Sequence, residues 1–190
     1  LWGVALGVLL SALVVVDLLS ATAPFNPTDQ DLVAGYREPE VAAFLQEQWN
    51  ESGPYRIEVR HEGLQPNFGS VHGVHVASGV FDPMQPAAYT RLYNTVSSNP
   101  ALPAYDLLNG LYWLTPQDAD EPPGFEPVFT RAGGTTIWER ESARPRAWFV
   151  SSIVEPDGRA PLDMVLDPGF RPAEEVILAD PPVRPDGSAD

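Results

Sequence analysis

The chain has 190 residues, with 26 aspartates and glutamates against 11 basic residues, all of them arginine, and no cysteine. A net charge of −15 argues against nucleic acid as a partner, because holding a phosphate backbone takes a clustered basic surface. The missing cysteine excludes a disulfide scaffold, a thiolate zinc site and a cysteine nucleophile, and the length suffices for one domain that needs no metal to fold.

The charge is unevenly placed. Residues 1–16 carry none, and Leu1 to Leu19 is apolar apart from Ser11 and Asp17. About 20 apolar residues make a bilayer-spanning helix, so 1–20 is read as a transmembrane segment. Two other readings stand beside it. A signal peptide is suggested by Ala21-Thr22-Ala23, although no basic residue precedes the apolar run and Pro24 would follow the cut. A buried core helix of a soluble protein is the other, which hydrophobicity on every face disfavours in a chain of this size. Arg37 is the first basic residue and follows three aspartates, so basic-inside bias puts the C-terminal side of the helix outside the cytoplasm. Gly3 and Gly7 form a small-xxx-small pair, a motif common by chance. Leu1 in place of a methionine leads us to expect a piece of a longer protein.

Residues 21–37 are rich in Pro, Asn, Asp and Gly and read as a linker. From Pro39, apolar residues at 41, 44, 45 and 49 predict a helix that Gly53-Pro54 ends. Tyr55–Arg60 alternates strictly, predicting a strand with one buried face. Residues 63–86 read as irregular, with a short strand at Val74–Val76. Tyr89, Leu92, Tyr93 and Val96 predict a helix over Pro86–Ser97. A short helix is expected at Ala104–Asn109, stopped by Gly110, then a buried strand at Leu111–Thr115. After an acidic loop at 117–124, strands are expected at Glu126–Arg131, Thr135–Glu141 and Ala147–Ile153, the first two joined as a hairpin by Gly133-Gly134. A helical turn at Leu162–Leu166, a strand at Glu175–Ala179 and a Pro/Asp tail over 181–190 close the chain. The expected class is α+β (mixed α/β): a transmembrane helix, then one mixed-sheet domain over 38–180 with packed helices.

Candidate chemistry is sparse. His61, His72 and His75 lack the spacing of a zinc site and read as loop residues, so no metal ligand is assigned. No G-x-S-x-G elbow and no glycine-rich phosphate loop occurs. Asp82 precedes a predicted helix and suits either capping or ligand contact. Arg144 and Arg146 flank Pro145; a guanidinium fork fits phosphate or carboxylate, or simply pairs with acids such as Glu139 and Glu141. Tyr105, Tyr112 and Trp113 fit stacking on sugars and core packing equally. Asp82, Asn109 and Arg146 are the substrate-binding candidates; Asn109 and Asp82 are expected to bond to backbone and Arg146 to an acid.

Several separated patches together resemble the YfhO family of multi-spanning bacterial membrane proteins. They are Asp17-Leu18-Leu19 at a helix end, Phe25-Asn26-Pro27, Pro54-Tyr55-Arg56-Ile57, and Pro66-Asn67 with Gly73. Gly79–Met84 is similar to the family's "GYDPL", Asp106–Thr115 to "LLNVRYVLT", and Arg144-Pro145-Arg146-Ala147 to "LPRA". The order is consistent from 17 to about 179. Departures fall at Gly110, Leu111 and Arg144, and the "GYDPL" counterpart has one residue too many. The resemblance implies a glycosyltransferase-like parent of the GT-C type in the bacterial cell membrane, taking sugar from a polyprenyl-phosphate donor to an envelope glycopolymer. It implies that this part is extracytoplasmic and accessory or acceptor-recognising, and no catalytic residue can be carried over to it; no cofactor is assigned. A membrane-tethered, non-enzymatic envelope module is the alternative.

Overall fold

The computed structural model describes residues 2–22, 31, 33–78 and 85–178. The chain divides into two compact units, residues 1–34 and 35–190. In the first, helix α1 (Trp2–Thr22) is long and apolar enough to cross a membrane, and none of its side chains is buried. A run of Leu, Val and Ala with no polar face gives a helix that aqueous packing cannot bury on one side only. Ser20 and Thr22 donate back to the carbonyls of Asp17 and Leu18, satisfying their hydroxyls within the helix.

The second unit is mixed α+β. It begins earlier than the composition suggested, because the turn Ala34–Tyr36 is already tied to it: Gly35 accepts from the Gln65 amide, and Tyr36 meets His72. Helix α2 (Pro39–Ser52) starts on a proline that has no amide to satisfy and stops at Gly53, whose φ of 79° a side-chain-bearing residue adopts only at a cost. Strand β1 (Arg56–Val59), the short helix α3 (Phe68–Val71) and strand β2 (His75–Val76) follow. Helix α4 (Ala87–Ser98), a 3-10 helix at Pro103–Leu108 and strand β3 (Gly110–Pro116) come next. Strands β4 (Glu126–Thr130) and β5 (Thr135–Glu139) form the expected hairpin. Strand β6 (Ser152–Val154), helix α5 (Pro161–Val165) and strand β7 (Glu175–Ile177) complete the described unit.

The main sheet has the order β2-β1-β3-β5-β4, with β1 parallel to both β2 and β3, and β5 antiparallel to its neighbours. Four expectations change. One mixed sheet was expected, but β6 and β7 pair in parallel as a separate two-stranded sheet. Residues 147–151, expected in a strand, lie outside it. β1, expected to bury one face, buries both Ile57 and Glu58, because helices cover the sheet on both sides. The stop before β3 also moves by one residue. Asn109 takes the left-handed conformation (φ 57°), while Gly110 opens the strand where a Cβ would lie 2.9 Å from the Tyr105 hydroxyl.

Two cores result. On one face Val41, Ala42 and Leu45 of α2 pack on Tyr55, Ile57, Phe68, Tyr112, Leu114 and Ile137. On the other, Val96 of α4 and Ala104, Tyr105 and Leu108 of the 3-10 helix pack on Trp113, Phe125 and Trp138. Alternation along β3 and β5 sorts these residues: Leu114 pairs with Ile137 toward α2, Trp113 with Trp138 toward α4. Trp138 Nε1 donates to Thr115 Oγ1 at 2.8 Å, so its one polar atom is satisfied on the buried face.

Candidate functional site

The connectivity places a crevice. The chain leaves β1 toward β2 by way of α3, whose Phe68 belongs to the α2-side core, and reaches β3 by way of α4, which belongs to the opposite core. The sheet therefore has a topological switch point between β1 and β3, and open α/β sheets bind ligands outside the carboxyl ends of their strands at such points. At those ends lie Arg60 and His61 after β1, and Pro116, Gln117 and Asp118 around the end of β3. A cleft of about 750 Å³ elsewhere is acidic, whereas the opening here, about 640 Å³, is lined by His61, Pro116, Gln117, Asp118, Gly133 and Gly134.

Behind the crevice, on the α4 side, sits a buried carboxylate. Glu58 is 1% exposed; its Oε1 accepts from the Tyr93 hydroxyl at 2.6 Å and from Arg60 Nε at 2.9 Å. Its Oε2 has no hydrogen-bond partner among the described residues, nor has the Tyr105 hydroxyl on the same side of the sheet. Burial pushes the Glu58 carboxyl above its ordinary range, with Tyr93 and Arg60 pulling the other way. Burial, followed by the Glu58 charge, pushes the Tyr93 hydroxyl up. Arg60 lies over the Trp113 ring at 5.4 Å from its centroid and remains half exposed. The result is a cation laid on an aromatic face beside a carboxylate held in reserve.

His61 supplies a directed donor. Its Nδ1 accepts from the Gly63 amide at 2.9 Å, so in the neutral ring the proton sits on Nε2, which has no partner among the described residues. Gln117 is committed to the frame, accepting from the Gly133 amide at 2.6 Å. Asp118 is exposed on the rim. The crevice lining thus brings together the His61 imidazole, whose buried Nε2 lacks a partner among the described residues, and the exposed Asp118 carboxylate, while the Arg60–Trp113 pair lies behind it.

A second buried pair is structural. Arg140 Nε meets Asp106 Oδ1 at 2.5 Å, and Arg140 also donates to the Pro100 carbonyl at 2.8 Å while lying over the rings of Tyr105 and Phe125. Ser142 donates to the same carboxylate oxygen at 3.0 Å. The pair ties the 3-10 helix to the segment after β5.

Among the residues singled out from the sequence, Asn109 bonds to backbone: its Nδ2 donates to the Arg144 carbonyl at 3.0 Å, and its own carbonyl accepts from the Arg56 amide. Asp82 lies outside the described residues. Arg146, expected to pair with an acid, instead meets Nδ1 of His75, and Arg144 donates to the Ser142 carbonyl rather than pairing with Glu139 or Glu141. The segment after Glu141 is tied to the 3-10 helix, the Arg144 amide donating to the Asp106 carbonyl, and Arg144 borders the acidic cleft with Glu139 and Glu141 without pairing to either. Of the two candidates that are described, Arg146 borders a groove that Asn109 does not line. Tyr105, Tyr112 and Trp113 are core residues. His72 joins Tyr36, and no group of three metal-capable side chains occurs among the described residues. Glu58 and Arg60 were missed because alternation placed them on a solvent face; the sign was the helix on either side of the strand in the sequence, which covers both faces.

No protein-family model, curated protein or solved structure matches the chain.

Proposed function

We propose that the chain is a membrane-anchored recognition module of the YfhO type, with α1 in a bacterial membrane and the α+β unit on its outer side presenting the β1–β3 crevice to envelope glycopolymers. The observation that carries this reading is one chain joining a bilayer-length apolar helix to a sheet with a polar crevice at its switch point. Sugar hydroxyls take neutral donors and carboxylate acceptors, which His61 and Asp118 bring to the lining of the crevice. In this reading, transfer from a polyprenyl-phosphate sugar is done by other parts of a larger parent, and this unit receives the acceptor. The buried carboxylates Glu58 and Asp106 each have an arginine partner. That favours, as a second reading, a tethered envelope module with no transfer chemistry.

The test uses the full chain in nanodiscs on an array of wall glycopolymers and defined oligosaccharides. Binding that falls about tenfold in both His61→Gln and Asp118→Asn, the loss of one hydrogen bond in each, is expected. No binding by the wild type, or binding indifferent to both changes, overturns acceptor recognition. Sidedness is read separately. The chain has no cysteine, so Asp120→Cys provides one label site, and it should react with an impermeant maleimide in intact cells. Labelling only after lysis overturns the outward placement.

A further inference from the structure

At the other end of β1, away from the crevice, two arginines converge with no carboxylate among the described residues to pair them. Arg56 opens β1 and His75 opens β2 as its register partner. Arg56 donates to the Leu108 carbonyl at 2.9 Å, and Arg146 meets Nδ1 of His75, which also lies against the Trp49 ring at 5.0 Å between centroids. Partial enclosure, then Arg146, then Arg56, holds the His75 imidazole below its ordinary range, as expected when two cations face one ring. Among the described residues neither arginine forms an ion pair, whereas Arg60, Arg91, Arg131, Arg140, Arg159 and Arg171 all do. In a chain with more than twice as many acids as bases, unpaired convergence of this kind is a concentrated positive site.

Arg146 also forms the mouth of an apolar groove of about 420 Å³, walled by Leu107, Trp148, Val165, Val176 and Ile177. Glu175, the acid on its wall, is taken up by the Arg171 amide at 2.7 Å and by the Arg171 guanidinium at 3.6 Å. Beside the groove Phe149 is fully exposed, and Ile153 is 40% exposed. Arginines at a rim with Trp and Phe beyond them have the chemistry of the headgroup layer of a bilayer, where aromatic rings settle and guanidinium groups meet phosphate. Covalent continuity keeps the unit close to whatever bilayer holds α1, since the dozen residues from 23 to 34 reach at most about 40 Å.

We propose that the face bearing Arg56, Arg146, Trp148 and Phe149 docks on an anionic phospholipid surface, with the lipid phosphates at the two arginines and the aromatic side chains in the headgroup layer. This goes beyond glycopolymer recognition and uses other residues, so each can fail alone. The acidic remainder of the unit is repelled by the same surface, which leaves this face as the one that approaches it.

The test takes the full chain in nanodiscs of either phosphatidylglycerol with phosphatidylcholine or phosphatidylcholine alone. An environment-sensitive dye is placed on Ala147→Cys, at the groove, and on Asp120→Cys, on the β3–β4 loop, as reference. A blue shift and quenching by brominated lipid are expected at 147 and not at 120, in the anionic discs only. The signal should be lost in Phe149→Ser, which removes a fully exposed ring and so leaves the fold intact, and largely lost in Arg146→Gln. The proposal is overturned by equal response at both positions, by equal response in both lipids, or by a signal that survives both substitutions. If soluble glycerol phosphate perturbs His75 in NMR spectra while the dye at 147 stays silent, the arginines bind a free anion, and lipid docking is likewise overturned.

Discussion

The two faces of the main sheet are packed in different ways. The α2 side is an apolar core of Val41, Leu45, Ile57, Phe68, Leu114 and Ile137, in which the tyrosine hydroxyls are satisfied by neutral acceptors: Tyr55 donates to the Leu45 carbonyl and Tyr112 to Gln48. The α4 side encloses charge, with Glu58 beneath Tyr93 and Asp106 clasped by Arg140 among Tyr105, Phe125 and Trp113. Apolar burial is non-directional, so the first face specifies that α2 packs but only loosely how. Buried ion pairs and hydrogen bonds are directional and costly to break, so the second face sets where α4 and the 3-10 helix must sit. It is also the face that backs the β1–β3 crevice.

The contrast can be broken most strongly at Asp106. Asp106→Ala leaves Arg140 buried without its carboxylate and should cost about 3–5 kcal/mol in urea unfolding. A loss under 1 kcal/mol would show that Arg140 finds water and that the α4 face is not held by charge. On the apolar face, Leu114→Ala removes a fully buried side chain and should cost about 2–5 kcal/mol, the lost transfer free energy plus the cavity left behind. Tyr93→Phe takes from Glu58 one of its two partners and should cost about 1–3 kcal/mol, more than an average hydrogen bond because the acceptor is buried.

A change in pH sharpens the same comparison. Because burial raises the Glu58 carboxyl in the folded state, the folded protein takes up a proton before the unfolded chain does. Glu58 then adds stability below the unfolded value of about 4.3 and loses it as pH climbs through the raised folded value. The stability of wild type relative to Glu58→Gln should therefore rise as pH falls from 7 toward 4.5, measured by unfolding at each pH. The opposite trend would mean that Arg60 outweighs burial. The smallest effect is expected away from both faces: Arg91→Gln, in the exposed pair with Asp163, should change stability by no more than about 0.5 kcal/mol.

Periodicity and breakers determined much by themselves. The apolar run of α1, the spacing of Val41, Leu45 and Trp49 in α2, Gly53 as its end and the Gly133-Gly134 hairpin are local properties, written in residues close together along the chain. That is why those elements appear where the sequence places them. The separate β6–β7 pair was not legible, since its strands are three residues each and are joined by 20 residues of turns and a short helix. Nor was the parallel pairing of β1 with β3, whose partners lie about 55 positions apart. Asn109 was legible as a residue that holds a loop, because asparagine tolerates left-handed backbone. The partner of Arg146 was not, because a long side chain reaches whatever the fold brings near, here His75 rather than an acid. Composition alone, through acidity and the missing cysteine, thus argues against nucleic acid and excludes disulfides and thiolate metal sites. Only tertiary structure decided which few charges are buried, where the crevice opens and which two arginines converge without an acid among the described residues. Each of these depends on contacts between segments that local chain energetics does not couple.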